Sequence, residues 1–394
     1  MINKKQSKKK ILFIRNGYYP DDPRLKKQIL ALLEEGHILD VLCLKKKGQK
    51  FIEKENDLLT ILRIPLKHKR SNLFWYFLEY SLVFITFLII ISARHLFKKY
   101  DYTVVHTLPD FLTFTTIIPK IFGTKVITDF HEPTPELLIT KFKLKQKNIL
   151  VKLTIFIEQL VIKFSDLSIA VTSALKERYI ERGADLKKLI VISNAVDTSE
   201  IKKYIKIRSN SKNNSFQLIT HGSIEERYGH EIVIKAIYKL RYKYPNLKYV
   251  ITGSGTYENK LKRLVAELGI QELIKFKGYL NLDELVETLV ASDLGVIPMY
   301  STPYSELIDT NKMYEFFELG IPVALPKLKP LTDNFSSEEV IFFEPGNAEN
   351  FADTLVNIIN NRDSLHQYVL KANSKYQNIE WDQVKKSFQR IFDD

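Results

Sequence analysis

A chain of 394 residues with 45% hydrophobic content is long for one core and sufficient for two domains of roughly 200 residues each. Its one cysteine, Cys43, excludes an intramolecular disulfide and any cysteine-rich metal site, and fits a reducing compartment. The net charge of +13 is unevenly held: residues 1–200 carry 34 Lys and Arg against 21 Asp and Glu, and residues 201–394 carry 25 of each, so an anionic partner, nucleic acid or anionic lipid, concerns the first half.

In chain order, residues 1–10 form a lysine-rich polar tail with no apolar signal core, so nothing there is expected to direct secretion. Short apolar runs at 11–14, 40–44, 104–106, 125–128, 167–171 and 189–193 alternate with helical patterns, which predicts a parallel sheet; residues 58–64 are also strand-like. Cys43 falls in one of these runs and is expected in the core. Gly17 follows the first run in RNGYYPDDPR, where a small residue lets the backbone approach a ligand. Arg24 opens the next helix, either solvated or in contact with an acceptor or lipid phosphate.

Residues 73–91, LFWYFLEYSLVFITFLIII, carry Glu79 as their only charge between basic flanks that include Lys98 and Lys99. Length and flanks permit a membrane span. A single pass would divide strands of one sheet between two sides of a membrane, so the expectation is a helix partly buried and partly offered to a lipid interface, with Trp75, Lys98 and Lys99 on the acceptor or membrane side. A wholly buried core helix is the competing reading. No recognition helix accompanies the basic residues, which sets nucleic acid aside.

Residues 125–136, KVITDFHEPTPE, place His131 just past a strand, where an imidazole of near-neutral pKa can donate or accept a hydrogen bond. The polar stretch 197–215 is the natural linker. Runs at 218–220, 248–252, 274–277, 294–297, 323–325 and 340–343 then predict a second parallel sheet. Gly222 and Ser223 open a glycine-containing loop, Arg227 supplies a charge, and the helix after Gly229 can aim free amides and its positive dipole end at an anion. In TNKMYEFFELGIPV, residues 310–323, Lys312 lies ahead of Glu315 and Gly320 ends a helix. A carboxylate there can accept both hydroxyls of a ribose diol or merely favour a helix N-terminus. Residues 381–392 form an amphipathic helix, and no Asp-x-Asp element suggests a divalent metal.

Residues 220–236, THGSIEERYGHEIVIKA, and 310–323 resemble the diphosphate and ribose segments of family 4 of the retaining glycosyltransferases. Residues 125–136, DLSIAVTS at 166–173, VISNAVD at 191–197, YVITGSGT at 249–256 and IKFKGY at 274–279 resemble further elements of that family in the same order. The resemblance implies an α/β GT-B fold of two Rossmann-like parallel-sheet domains facing across a cleft. It sets an acceptor domain at 1–196 rejoined by a closing helix at 380–394, and a donor domain at 216–379.

It further implies His131, Arg227 and Lys312 as catalytic groups, and Gly17, Gly222, Ser223, Arg227, Asp309, Thr310, Asn311, Lys312 and Glu315 as donor-binding. The donor is a nucleotide diphosphate sugar, with no cofactor and no metal. The acceptor is a lipid-linked or growing surface glycan, at the cytoplasmic face of the plasma membrane and in polysaccharide biosynthesis. The chain departs from the family pattern at Ser223 and Tyr228, where relatives carry Arg and Lys, and at Leu307, where they carry a first acid. A nucleotide-sugar epimerase or hydrolase on the same fold, or an inactive membrane-associated scaffold, is the alternative.

Overall fold

Runs of β-branched and aliphatic residues with no polar alternation cannot present one face to water, so they pair as parallel strands covered on both sides. The computed structural model, which describes residues 8–66, 73–195, 215–376 and 381–393, shows this twice. The first sheet comprises β1 (Lys10–Tyr18), β2 (Ile38–Leu44), β3 (Ile52–Lys54), β4 (Leu59–Ile64), β5 (Tyr102–His106), β6 (Lys125–Phe130), β7 (Leu167–Ala170) and β8 (Leu189–Val191). Its order is β3-β4-β2-β1-β5-β6-β7-β8, parallel throughout except for antiparallel β3 at one edge. The second comprises β9 (Phe216–His221), β10 (Leu247–Thr252), β11 (Ile274–Gly278), β12 (Leu294–Val296), β13 (Val323–Pro326) and β14 (Ile341–Phe343). All its pairings are parallel, in the order β11-β10-β9-β12-β13-β14. Every predicted strand overlaps an observed one. Only β3 was not expected, because three residues reading IEK carry no apolar run.

Two units follow, Met1–Ser193 with Asp382–Asp394, and Asn194–Trp381. Most of the expected linker lies outside the described residues. In the first unit, one face of the sheet is covered by the helix Pro23–Glu34, through Leu25, Ile29 and Leu32, and by Phe388 and Phe392 near the chain's end. The closing helix Trp381–Gln389 is also held there by Gln389 Nε2 donating to the Ala31 carbonyl at 2.8 Å and by a Lys385–Glu34 ion pair.

The other face carries the long helix Leu73–Lys98, whose Val83, Phe87 and Ile91 recur at helical spacing and pack on Leu12, Ile14 and Leu42. Arg94 and Lys98 reach Asp40, buried in β2, at 3.0 and 2.7 Å. Among the described residues this is the one helix long and apolar enough to cross a membrane. One stripe of it is nonetheless core of the first unit and another is exposed, so the wholly buried reading fails. Cys43 is buried in the same sheet, and burial pushes its thiol up to about 11, as suits a core residue rather than a nucleophile.

Candidate functional site

In the second unit, functional side chains gather at the carboxyl ends of β9 and β12, where open α/β sheets bind ligands. After His221 the chain turns at Gly222, whose φ of +102° only glycine adopts without strain. A Cβ on Gly222 would come within 2.8 Å of Lys312 Cε, so the bare glycine face is the surface on which the lysine lies. Gly229, at φ +60°, precedes the helix His230–Leu240, and a Cβ there would stand 1.8 Å from the Pro298 carbonyl oxygen. No side chain caps that helix, so its leading amides are available to an anion.

Lys312 enters from the helix Asn311–Glu318, capped by Thr310, whose hydroxyl accepts from the Lys312 amide at 3.4 Å. Its ammonium stands 4.3 Å from the centre of the Tyr228 ring, and Arg227 lies over the same ring at 4.7 Å and over Tyr304 at 5.7 Å. Burial lowers the Lys312 pKa to about 8, with Glu315 opposing and Arg227 adding to the shift. Burial and Lys312 also hold His221 and His230 neutral, at about 3. One turn along, Glu315 lies 3.3 Å from His221 Nε2, with its carboxylate partly exposed. His221 Nε2 stands beside that carboxylate without a hydrogen bond between them.

Other expectations for this region are refined. Glu225 accepts from the Thr256 hydroxyl at 2.6 Å. Asp309 turns inward to accept from the Tyr314 hydroxyl at 3.2 Å, so of this residue only the backbone is offered to a ligand. Asn311 is exposed at the head of its helix, and the Ser223 backbone bonds His230. Leu307, where a first acid was missing, is buried, and nearby Glu306 accepts from the Lys329 amide at 3.1 Å instead of replacing that acid.

In the first unit, Arg15 within β1 lies opposite His106 at the end of β5, where Asp129 and His131 of the β6 end join them. His106 Nδ1 and His131 Nε2 are 2.7 Å apart, so one ring donates and the other accepts. Asp129 is fully buried; burial works to raise its pKa, and the Arg24 and His106 charges outweigh it and hold the carboxyl below its usual range. Burial, then Arg15, pushes His131 well below its usual value, and burial pushes His106 down to about 4. His131 thus titrates below the near-neutral value expected of it, which favours a neutral imidazole hydrogen-bonded to His106.

The ligand atoms of His106, Asp129 and His131 lie within 4.8 Å of one another, a spacing a metal ion can bridge. The donor set fits poorly. Arg24 takes both oxygens of Asp129, at 2.9 and 3.0 Å, Gln28 adds a third bond at 2.6 Å, and Arg15 and Arg24 oppose a cation.

Three first-unit expectations change. Arg24 is neither solvated nor open to an acceptor: it pairs with Asp129 and donates to the Ile192 carbonyl at 2.9 Å, tying the helix start to the chain that leaves the first unit. Gly17 lies inside β1, where register to β2 shifts between Ile14 and Tyr18, and a Cβ there would crowd the Arg15 side chain at 3.3 Å. Lys98 is committed to Asp40, whereas Lys99 is exposed. Trp75 lies in the first turns of the long helix, and its side chain is outside the described residues. Arg15, His106, His221, His230 and Tyr228 were missed. The histidines His106 and His221 end strands, and Tyr228 and His230 flank Gly229, which was the available signal; Arg15 lies inside β1 and carried none.

Residues 26–200 match the family described as Glycosyltransferase Family 4, and residues 202–375 match that described as Glycosyl transferases group 1, leaving one residue between the matches. The first half of the chain is thus similar to the family 4 glycosyltransferases and the second half to the group 1 glycosyl transferases. Among curated proteins, the chain is 25% identical over 174 residues to an uncharacterized glycosyltransferase of Methanocaldococcus jannaschii, covering 43% of each. It is 33% identical over 72 residues, 18% of each chain, to a GDP-mannose-dependent monoacylated alpha-(1-6)-phosphatidylinositol monomannoside mannosyltransferase of Corynebacterium glutamicum. The matched segments thus span less than half the length of these relatives.

The GT-B fold is shared with a sucrose-phosphate synthase from Thermosynechococcus elongatus (TM-score 0.75, 14% identity, 98% of each chain). It is likewise shared with the Anabaena protein HepE crystallised with UDP (TM-score 0.70, 14% identity, 97% of this chain and 99% of that one).

Proposed function

We propose that this protein transfers a sugar from a nucleotide diphosphate donor to a lipid-linked or growing surface-glycan acceptor, with retention at the anomeric carbon and without a metal. The observation that carries the donor half is Lys312 lying on the bare face of Gly222, beside Arg227 and the uncapped start of the helix His230–Leu240. Two cations and a set of free amides are what a departing diphosphate needs, because its charge grows as the sugar leaves as an oxocarbenium-like centre. Glu315, beside neutral His221 and partly exposed, is suited to the ribose diol. In the first domain, His131 as a neutral imidazole is the hydrogen-bonding group assigned to the reacting sugar.

The relatives support the substrate classes. The Anabaena protein was also crystallised with UDP-glucose, and the Corynebacterium enzyme is named for a GDP-mannose donor and a phosphatidylinositol-based acceptor. Retention and metal independence rest on the family resemblance. A lipid-borne acceptor also accords with the basic first half, and we propose that the enzyme works peripherally at the cytoplasmic face of the plasma membrane.

The test is to supply purified protein with nucleotide sugars and a membrane lipid extract, then follow nucleoside diphosphate release and the anomeric configuration of the product. Release that requires the extract, continues in chelator and gives the donor's own anomer is expected. Equal release without acceptor would identify a hydrolase, and activity restored only by manganese or magnesium would sink the metal-free mechanism.

A further inference from the structure

A soluble helix that covers a sheet should turn polar residues outward. Two helices of the first domain do the opposite. On the long helix Leu73–Lys98, Leu78, Leu82, Ile85 and Ile89 recur at three- and four-residue spacing and are all exposed, Ile89 at 62%. On the helix Ile149–Phe164, Ile149, Leu153, Phe156 and Leu160 follow the same spacing and are likewise exposed. Between these helices lies the segment from Asp110–Thr116 into Ile117–Ile121, which packs against both and adds exposed Ile117, Ile121 and Phe122. The three elements pack together and expose an apolar band interspersed with Lys120 and Lys152. Contiguous apolar surface of this kind marks an interaction face.

We infer that this band is the face by which the protein lies on an anionic bilayer, with the helices Leu73–Lys98 and Ile149–Phe164 parallel to the membrane and their exposed stripes in the headgroup region. The charge around the band selects this occupant. Residues 137–157 contain five lysines and no acid, and Lys141, Lys143, Lys145 and Lys147 are all exposed beside Phe142, Ile149 and Leu150. At the other end, Lys99 and Lys125 line a depression with Leu96 and Phe122, so cationic and apolar groups again share an edge. Apolar residues that enter the interface between lysines that meet lipid phosphate are the signature of peripheral binding. A second copy of this chain would bring the same lysines against these, which opposes a symmetric pair. Crossing the bilayer is opposed by Val83, Phe87 and Ile91, which are core, and by Arg94 and Lys98, which hold buried Asp40.

The inference extends the lipid-borne acceptor reading, but its evidence is separate from the donor site. The full chain is tested by flotation with phosphatidylcholine vesicles and with vesicles containing phosphatidylglycerol, at low and high salt. Binding should require the anionic lipid, weaken with salt, and fall roughly tenfold or more when Lys141, Lys143, Lys145 and Lys147 are changed to Gln. Phe156→Glu with Ile89→Glu should abolish it. Thermal shift with nucleoside diphosphates, run on the same samples, verifies folding and keeps the donor site a separate question. Failure of wild type to bind anionic vesicles while it responds to a nucleotide would overturn the inference and leave the donor reading intact. So would salt-resistant binding indifferent to the lysine changes, or a dimer by ultracentrifugation that Phe156→Glu dissolves.

Discussion

Lys312→Met should raise the melting temperature of the free protein while removing its response to nucleoside diphosphates. The lysine is half-buried, and burial brings its pKa from 10.5 to about 8. Between about pH 8 and 10.5 the unfolded chain therefore binds more protons than the folded one, so stability rises with pH through that window and the whole penalty is present below 8. The gap corresponds to roughly 3 kcal/mol at neutral pH, trimmed to about 2 by partial exposure. Methionine fills similar space without the charge and forgoes a contact with Tyr228 that contributes about 0.5–1 kcal/mol.

The net gain of about 1–2 kcal/mol amounts to a rise of roughly 3–6 °C in the melting of the second domain. The same change deletes a charged contact to phosphate of about 1.5–3 kcal/mol, which weakens nucleotide binding roughly 10- to 150-fold. Calorimetry at pH 7 and pH 9.5 with and without nucleotide is the assay, and the stability gap between variant and wild type should narrow at the higher pH. A free variant that melts at or below wild type, with its nucleotide response intact, would refute both the burial of the charge and its role.

Other consequences follow from single contacts. Arg24→Ala leaves Asp129 charged and buried without its bidentate partner, and urea titration should register a loss of about 3–5 kcal/mol in the first domain. Gly229→Ala forces a methyl group into the Pro298 carbonyl at a left-handed position; a loss of at least about 2 kcal/mol, together with a weakened nucleotide response, is expected by thermal shift. Asp110 is buried, and burial raises its pKa from 3.8 to about 7. The folded state therefore keeps a proton that the unfolded chain loses, and stability declines as pH rises from about 4 to 7. Asp110→Asn should stabilise the first domain on the order of 2–4 kcal/mol at pH 8 and hardly at all near pH 4.

The fold was legible because its strands are short, apolar and unalternating, a pattern that fits only sheets covered on both faces. The site was legible where backbone chemistry marks it, at Gly222 and Gly229, and where a helix start follows a polar loop, at Lys312 and Glu315. What escaped was long-range pairing. Nothing local in DDPRLKK says that Arg24 will meet Asp129 across 105 residues, nor does the lone His131 announce that it will hydrogen-bond to His106. Lys98 looked available for lipid because Asp40, its partner, sits inside a strand where a charge is not expected. The long helix was ambiguous for a related reason: its sequence is apolar all round, and only the tertiary packing shows which stripe, Val83 to Ile91, is core.

The central claim is a nucleotide site built on Glu315, Lys312 and the Gly222 loop, and the most direct measurement is a thermal-shift panel of UDP, GDP, ADP, CMP and dTDP on wild type and Glu315→Ala. The account predicts selective stabilisation by one nucleoside diphosphate and its loss in the variant, because a ribose diol would have lost its acceptor. Stabilisation by none of the five, or an undiminished response in Glu315→Ala, would contradict it.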